Sequence, residues 1–188
     1  MSAITGLFSA FGLSASAGLN AYIPLLAIAV LARFTHWIEL SSPWDTLTHP
    51  AVIGALVVLT GIEFFADKIP AVNHFNDAIQ TFVRPVAGAI AFAAGSGAIG
   101  EVHPALAMIA GLLVAGSVHA AKSVAVRPAV TVATAGTGQV PVSIMEDVAA
   151  TTVSLVAIIV PVALLLVALL VLIWAFRWRR RVQASKRE

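Results

Sequence analysis

The run HPALAMIAGLLVAGSVHAAKSVAVRP, His103 to Pro128, is apolar over a membrane-spanning length and has an earlier copy in the same chain. The copy is HPAVIGALVVLTGIEFFADKIP, His49 to Pro70. At a fixed offset of 54 residues, His49, Pro50, Ala51, Leu59, Ala66 and Lys68 fall on His103, Pro104, Ala105, Leu113, Ala120 and Lys122. A degenerate internal repeat is therefore expected, each copy opening on His-Pro and closing on a lysine. Residues are 60% hydrophobic and 11% charged, where soluble domains carry about a quarter charged. Lipid is the solvent such a chain fits. Its 188 residues accommodate one all-α transmembrane domain of about five helices, each needing roughly 20 apolar residues, with no separate soluble domain. Repeat halves of about 1–76 and 77–176 are expected, followed by a basic tail, 177–188.

The first apolar run, about Thr5 to Phe34, is too long for one straight span and contains SASAGLNAYIP. Pro24 has no N–H for the carbonyl of Asn20, so a break near Asn20 is expected, with that side chain facing protein. Residues 35–48, with Trp37 and Trp44, read as an interfacial loop. A second span covers Ala51 to Ala66. Residues 71–82, AVNHFNDAIQTF, read as a short amphipathic helix lying in the interface or re-entering the membrane. A third span is expected over 83–100 and a fourth over 105–121. Their small-residue stripes, Ala87, Ala91 and Gly95 with Ala107, Gly111 and Ala115, suit close packing of the two helices or an interface between copies. Next, TAGTGQVP echoes SAGLNAYIP, with Gln139 and Pro141 in the places of Asn20 and Pro24. A second broken or re-entrant segment is expected there. The last span, Val148 to Phe176, is long enough to tilt, with a kink at Pro161.

Six of the eleven Lys and Arg follow Trp174, which places the C-terminus in the cytoplasm by the positive-inside rule. No basic stretch precedes the first apolar run, so a cleavable signal is not expected. If α-helical spans 83–100 and 71–82 form one crossing, the two repeat copies run parallel. If they cross separately, the copies invert.

Charges inside the apolar runs are costly and mark pathways or sites. Glu63 and Asp67 share a helix face, about 6 Å apart along the axis. Lys68, and His119 with Lys122, stand at matching ends of the repeat. Arg84 and Arg127 each lie in a Val-Arg-Pro triplet at an expected span boundary, where two guanidinium forks could hold a phosphate or carboxylate. Glu146 and Asp147, expected just before the last span, are the natural counter-charges. With Asn20 and Gln139 these residues make up the candidate polar cavity. His49 and His103 are expected to cap helices. Cysteine is absent, and the histidines lack metal-ligand spacing, so neither metal nor cofactor is expected. No catalytic motif stands out, so an enzyme is not expected.

On SAGLNAYIPLL, FADKIP with the VRP after it, HAAKS and VPVSIMEDV, the chain resembles a small bacterial membrane-protein family catalogued as domain of unknown function 4126. The resemblance covers nearly the whole chain and implies no activity. The residues themselves suggest a small transporter or lipid-headgroup translocator in the bacterial inner membrane. Its partners are expected to be the bilayer, an anionic solute or lipid headgroup, and further copies of itself, but not nucleic acid. The alternatives are a non-catalytic assembly or scaffolding subunit and a membrane-embedded enzyme acting on a lipid.

Overall fold

A computed structural model describes residues 3–96 and 102–161, with Leu170 and Arg177. The basic tail, the end of the last span, Trp174 and Trp178 lie outside the described residues apart from those two positions. Among the described residues the only regular structure is helical: α1 (Ala3–Leu19), α2 (Tyr22–Phe34), α3 (Pro50–Ala66), α4 (Pro70–Ser96), α5 (Pro104–Ala121), α6 (Arg127–Thr134) and α7 (Gln139–Ile159). A 3₁₀ turn, Trp44–Thr48, sits in the loop before α3, and a π-helical turn, Lys122–Val126, joins α5 to α6.

Among the described residues, three stretches are long and apolar enough to cross a membrane: Phe75–Ser96, Pro104–Thr134 and Gln139–Ile159. Helices α1, α2 and α3 are apolar but shorter. The surface is greasy and the inside is charged. Val58, Ile62, Phe65, Leu106, Ile109 and Leu113 are exposed, whereas Glu63, Asp67, Arg84, Lys122 and Arg127 are buried. That inversion of a soluble protein's pattern matches a lipid surroundings.

Helix α1 packs against α4, α5, α7 and α2. Its Leu13 and Ala17 join Ala21, Leu25 and Ile28 of the following stretch in a core completed by Ala87, Ala91, Ala115 and Ala157. Small side chains dominate this core because the helices approach closely. The nearest approach is between α4 and α5: a Cβ placed on Gly111 would lie 2.3 Å from the Gly88 carbonyl oxygen. Ala87, Ala91, Ala107, Gly111 and Ala115 are all buried, so the two stripes pack within one chain. Gly95 is the exception, since its Cβ position faces Ala10 and Leu13 of α1. Serines bridge helices as well. Ser14 Oγ donates to Gly111 O at 2.7 Å, and Ser16 Oγ meets Ala150 O and Ser154 Oγ at 2.8 Å.

The His-Pro starts of the repeat fold alike. His49 Nδ1 accepts from Ala51 N–H, and His103 Nδ1 from Ala105 N–H, each at 3.2 Å. Each following proline occupies the first helical turn, where its missing N–H has no partner to lose.

Several boundaries differ from expectation. Residues 71–82 are not a separate interfacial helix but the first part of α4, which runs 27 residues through Pro85. Asn76 and Gln80 are buried in the bundle, and Asn76 and Asp77 meet Asp67 and Arg127, partners that offset the cost that makes the segment look interfacial. Because α4 is one helix, α5 runs back antiparallel along it, with Gly111 against Gly88 and His119 against Arg84. The fourth span does not stop at Ala121; it continues through the π turn to Thr134. Gln139 is not in a broken span. It opens α7 after a tight turn in which Ala135 (φ 49°) and Gly136 (φ 86°) are left-handed. Pro141 then lies in the first turn of α7 and frees no carbonyl there. Since α7 begins at Gln139, Glu146 and Asp147 are inside it rather than ahead of it. At the other end α7 stops at Ile159, two residues before Pro161, where a kink within a longer span is expected.

Candidate functional site

The break between α1 and α2 sets the geometry. Where the helix stops, the carbonyl of Leu19 and the N–H of Ala21 lose their helical partners, and in an apolar interior each must find another. Lys122 Nζ donates to Leu19 O at 3.0 Å. The carboxylate of Glu63 accepts from Ala21 N–H at 3.2 Å. Asn20 restarts the helix, its Oδ1 accepting from Tyr22 and Ile23 N–H at 3.1 Å each. Its Nδ2 donates to Asp147 Oδ1 at 3.0 Å. So four elements, α3, α5 with its π turn, α7 and the break itself, are tied together at one place.

Around that place the charges form one network. Glu63 and Arg84, both without accessible side-chain surface, meet at 2.9 Å. Asp67 Oδ2 is a hub, 3.1 Å from Arg127, 3.5 Å from Arg84 and 4.0 Å from Lys122. Its other oxygen accepts from Asn76 Nδ2 at 2.7 Å. Lys122 pairs with Glu146 at 2.7 Å, and Arg127 reaches Glu146 at 3.1 Å and Asp77 at 3.0 Å. The two lysines related by the repeat take adjacent acids of α7: Lys122 takes Glu146, and Lys68 takes Asp147 at 3.0 Å. Lys68 also lies 3.3 Å from the centre of the Phe64 ring.

Arg84 Nη1 lies 3.1 Å from His119 Nδ1. A guanidinium has no acceptor, so Nδ1 accepts, and the imidazole is neutral with its proton on Nε2, beside Thr81 Oγ1 at 3.3 Å. The forks of Arg84 and Arg127 are thus engaged by carboxylates and a histidine of the same chain.

One side of the network opens. A cavity of about 350 Å³ is lined by Asp67, Lys68, Asp77, Ser123, Arg127 and Gln139, among others. Gln139 takes no part in the ion pairs. Its amide donates to Arg127 O at 2.9 Å and to Thr131 Oγ1, which pins the α6–α7 turn beside the cavity. Of the eleven residues singled out from sequence, the network brings together ten, and Gln139 lies on the cavity wall. Among the described residues no group of His, Asp and Glu is arranged to hold a metal ion.

Arg84 was placed at a span boundary by the proline after it, but it lies well inside α4, completely buried. Asp77, Asn76 and Thr81 escaped the sequence reading because they were assigned to an interfacial helix. The signal that finds them is spacing: positions 77, 81 and 84 fall on one face once the helix is read through to Ser96.

A bundle of this kind, all-helical, with membrane-length apolar helices and a buried charge network, defines a membrane-type protein. The chain belongs to the family of the domain of unknown function DUF4126, which matches residues 7–181. No curated protein and no solved structure matches it.

Proposed function

We propose that the chain is a small membrane transporter or lipid-headgroup translocator. The observation that carries this reading is the cavity of about 350 Å³ whose walls include Asp67, Lys68, Asp77 and Arg127, four members of the buried network. A network serving only to hold helices together gains nothing from an open polar wall. The helix break at Asn20 supplies the moving part: it is held by Lys122, Glu63 and Asp147, of which Lys122 meets Asp67 and Asp147 meets Lys68 on the cavity wall. Redistribution of those ion pairs on solute binding would release or lock the break. In this reading the chain resides in the bacterial inner membrane with its C-terminus in the cytoplasm, and copies associate to complete the pathway.

The test is flux through proteoliposomes of the purified chain, comparing uptake of ethanolamine and of glycerol 3-phosphate with flip-flop of fluorescent lipids. Flux above protein-free vesicles, lost in a folded Lys68→Met/Lys122→Met variant, is expected. Flux that survives in that variant, or none from the native chain, rejects the reading. A second reading, a scaffolding subunit, draws on the pairing of each of the network's four cations with a carboxylate within 4.0 Å. No flux from a fully folded native chain selects it.

A further inference from the structure

The occupant's charge follows from a balance of signs and of hydrogen-bond roles. Among the described residues of the network, five carboxylates, Glu63, Asp67, Asp77, Glu146 and Asp147, meet four basic side chains, Lys68, Arg84, Lys122 and Arg127. His119 is neutral because Arg84 donates to it. One negative charge is left over in a poorly solvated interior, where an uncompensated charge is costly.

Hydrogen-bonding capacity tilts the same way. Among the described residues, Glu146, nine-tenths buried, has its Oε1 without a hydrogen-bond partner, and so have the Gln80 Oε1 acceptor on α4 and the Ser143 hydroxyl on α7, which can accept or donate. The two cations of the cavity wall are engaged within the chain, Lys68 by Phe64 O and Asp147 and Arg127 by Asp67, Asp77 and Glu146, and the neutral side-chain donors there are taken up as well. Ser123 Oγ donates to His119 O, Thr131 Oγ1 to Arg127 O, and the Gln139 amide to Arg127 O. What remains is lone pairs, on the Gln139 carbonyl, on the two hydroxyls and above all on Asp77. That carboxylate is the most open of the ion-paired acids, 27% exposed, and meets Arg127 through one nitrogen only. An anion entering here would have to compete with Asp147 for Lys68 and with Asp67, Asp77 and Glu146 for Arg127, whereas a cation meets the open side of Asp77 directly. The space, about 350 Å³, is that of a small organic molecule and far larger than a bare metal ion.

We infer that this cavity binds an organic ammonium group, with Asp77 as its principal counter-charge. This rests on the transporter reading for its consequence but not for its geometry. The ammonium could arrive on a free amine or on the ethanolamine headgroup of a lipid, and the chemistry of recognition is the same.

The test uses the full chain in nanodiscs of phosphatidylglycerol, which carries no amine, and follows thermal unfolding during titration with ethanolamine or glycerol 3-phosphate. A parallel sample replaces part of the lipid with phosphatidylethanolamine. A saturable rise in Tm with ethanolamine marks a free amine as the ligand. A rise only with phosphatidylethanolamine marks the headgroup. In either case Asp77→Asn is expected to weaken binding about tenfold, and so is Gln139→Lys, which adds a cation to the wall from a position outside the ion pairs. Two variants guard against one that folds poorly. A response to glycerol 3-phosphate alone, to none of the three probes, or an ammonium response unchanged in both variants overturns the inference. The two proposals fail separately: ammonium binding without flux removes the transporter and keeps the site, while flux of glycerol 3-phosphate keeps the transporter and removes the ammonium.

Discussion

Lys122 Nζ bonds the backbone carbonyl of Leu19 at 3.0 Å, joining the π turn after α5 to the end of α1 across 103 residues of sequence. The same nitrogen holds Glu146 at 2.7 Å. Replacing it with methionine keeps the length and apolar stem but leaves a buried carbonyl and a buried carboxylate short of a donor. Lys122→Met is expected to destabilise the fold by about 3–5 kcal/mol, read by denaturant or thermal unfolding in detergent. A loss under 1 kcal/mol would show that the break does not depend on this lysine.

The Glu63–Arg84 pair is the most enclosed of the ion pairs, neither side chain having accessible surface. Glu63→Gln leaves Arg84 only the longer contact with Asp67 at 3.5 Å, and Arg84→Met leaves the buried Glu63 carboxylate without a cation; each alone is expected to cost roughly 3–5 kcal/mol. The double variant removes both charges and is expected to recover part of that loss. A double-mutant cycle measures the coupling, and strict additivity would contradict direct pairing.

The α4–α5 contact tolerates no side chain at Gly111, whose Cβ would lie 2.3 Å from Gly88 O and 2.6 Å from Phe92 Cβ. Gly111→Ala is expected to force the helices apart, at a cost of about 1–3 kcal/mol. Gly54, also helical, has nothing within 4 Å of its Cβ position. There Gly→Ala is expected to be neutral or to stabilise α3 by up to about 1 kcal/mol. Equal effects at the two sites would argue against the close approach.

His49 and His103 make the same cap bond, 3.2 Å in each case, to the N–H two residues on. Their alanine variants are expected to cost similar amounts, roughly 0.5–2 kcal/mol each, and to add when combined. A large effect of either on flux with no change in unfolding would assign that histidine a role beyond capping.

The native chain has no cysteine, so single cysteines report access without background. Cysteines at Asp77, Ser123 and Gln139, on the cavity wall, are expected to react with a membrane-impermeant maleimide. Cysteines at Ser14 and Ser16, which are completely buried between helices, are expected to stay unlabelled in the folded protein. Labelling at Ser14 as fast as at Gln139 would show that the cavity boundary is drawn in the wrong place.

Hydropathy and local chemistry determined a good deal on their own. The apolar runs, the break at Asn20 forced by Pro24, the histidine caps before Pro50 and Pro104 and the interruption at Pro161 each depend on interactions within a few residues, which sequence contains directly. Even the inward choice of Glu63, Arg84 and Lys122 follows from the cost of charge in lipid. The extent of the helices was not legible in the same way. Asn76, Asp77, Glu146 and Asp147 lower the hydropathy of their segments, so 71–82 read as interfacial and 146–147 as a boundary, whereas both pairs are inside helices because Asp67, Lys68, Lys122 and Arg127 meet them from elsewhere. Only the tertiary structure decided which acid each base takes, that the lysines of the repeat grip neighbouring residues of α7, and that the arginine forks are filled from within. Those outcomes depend on helix register and on the α4–α5 approach, where contacts far apart in the chain settle a balance that no local pattern encodes.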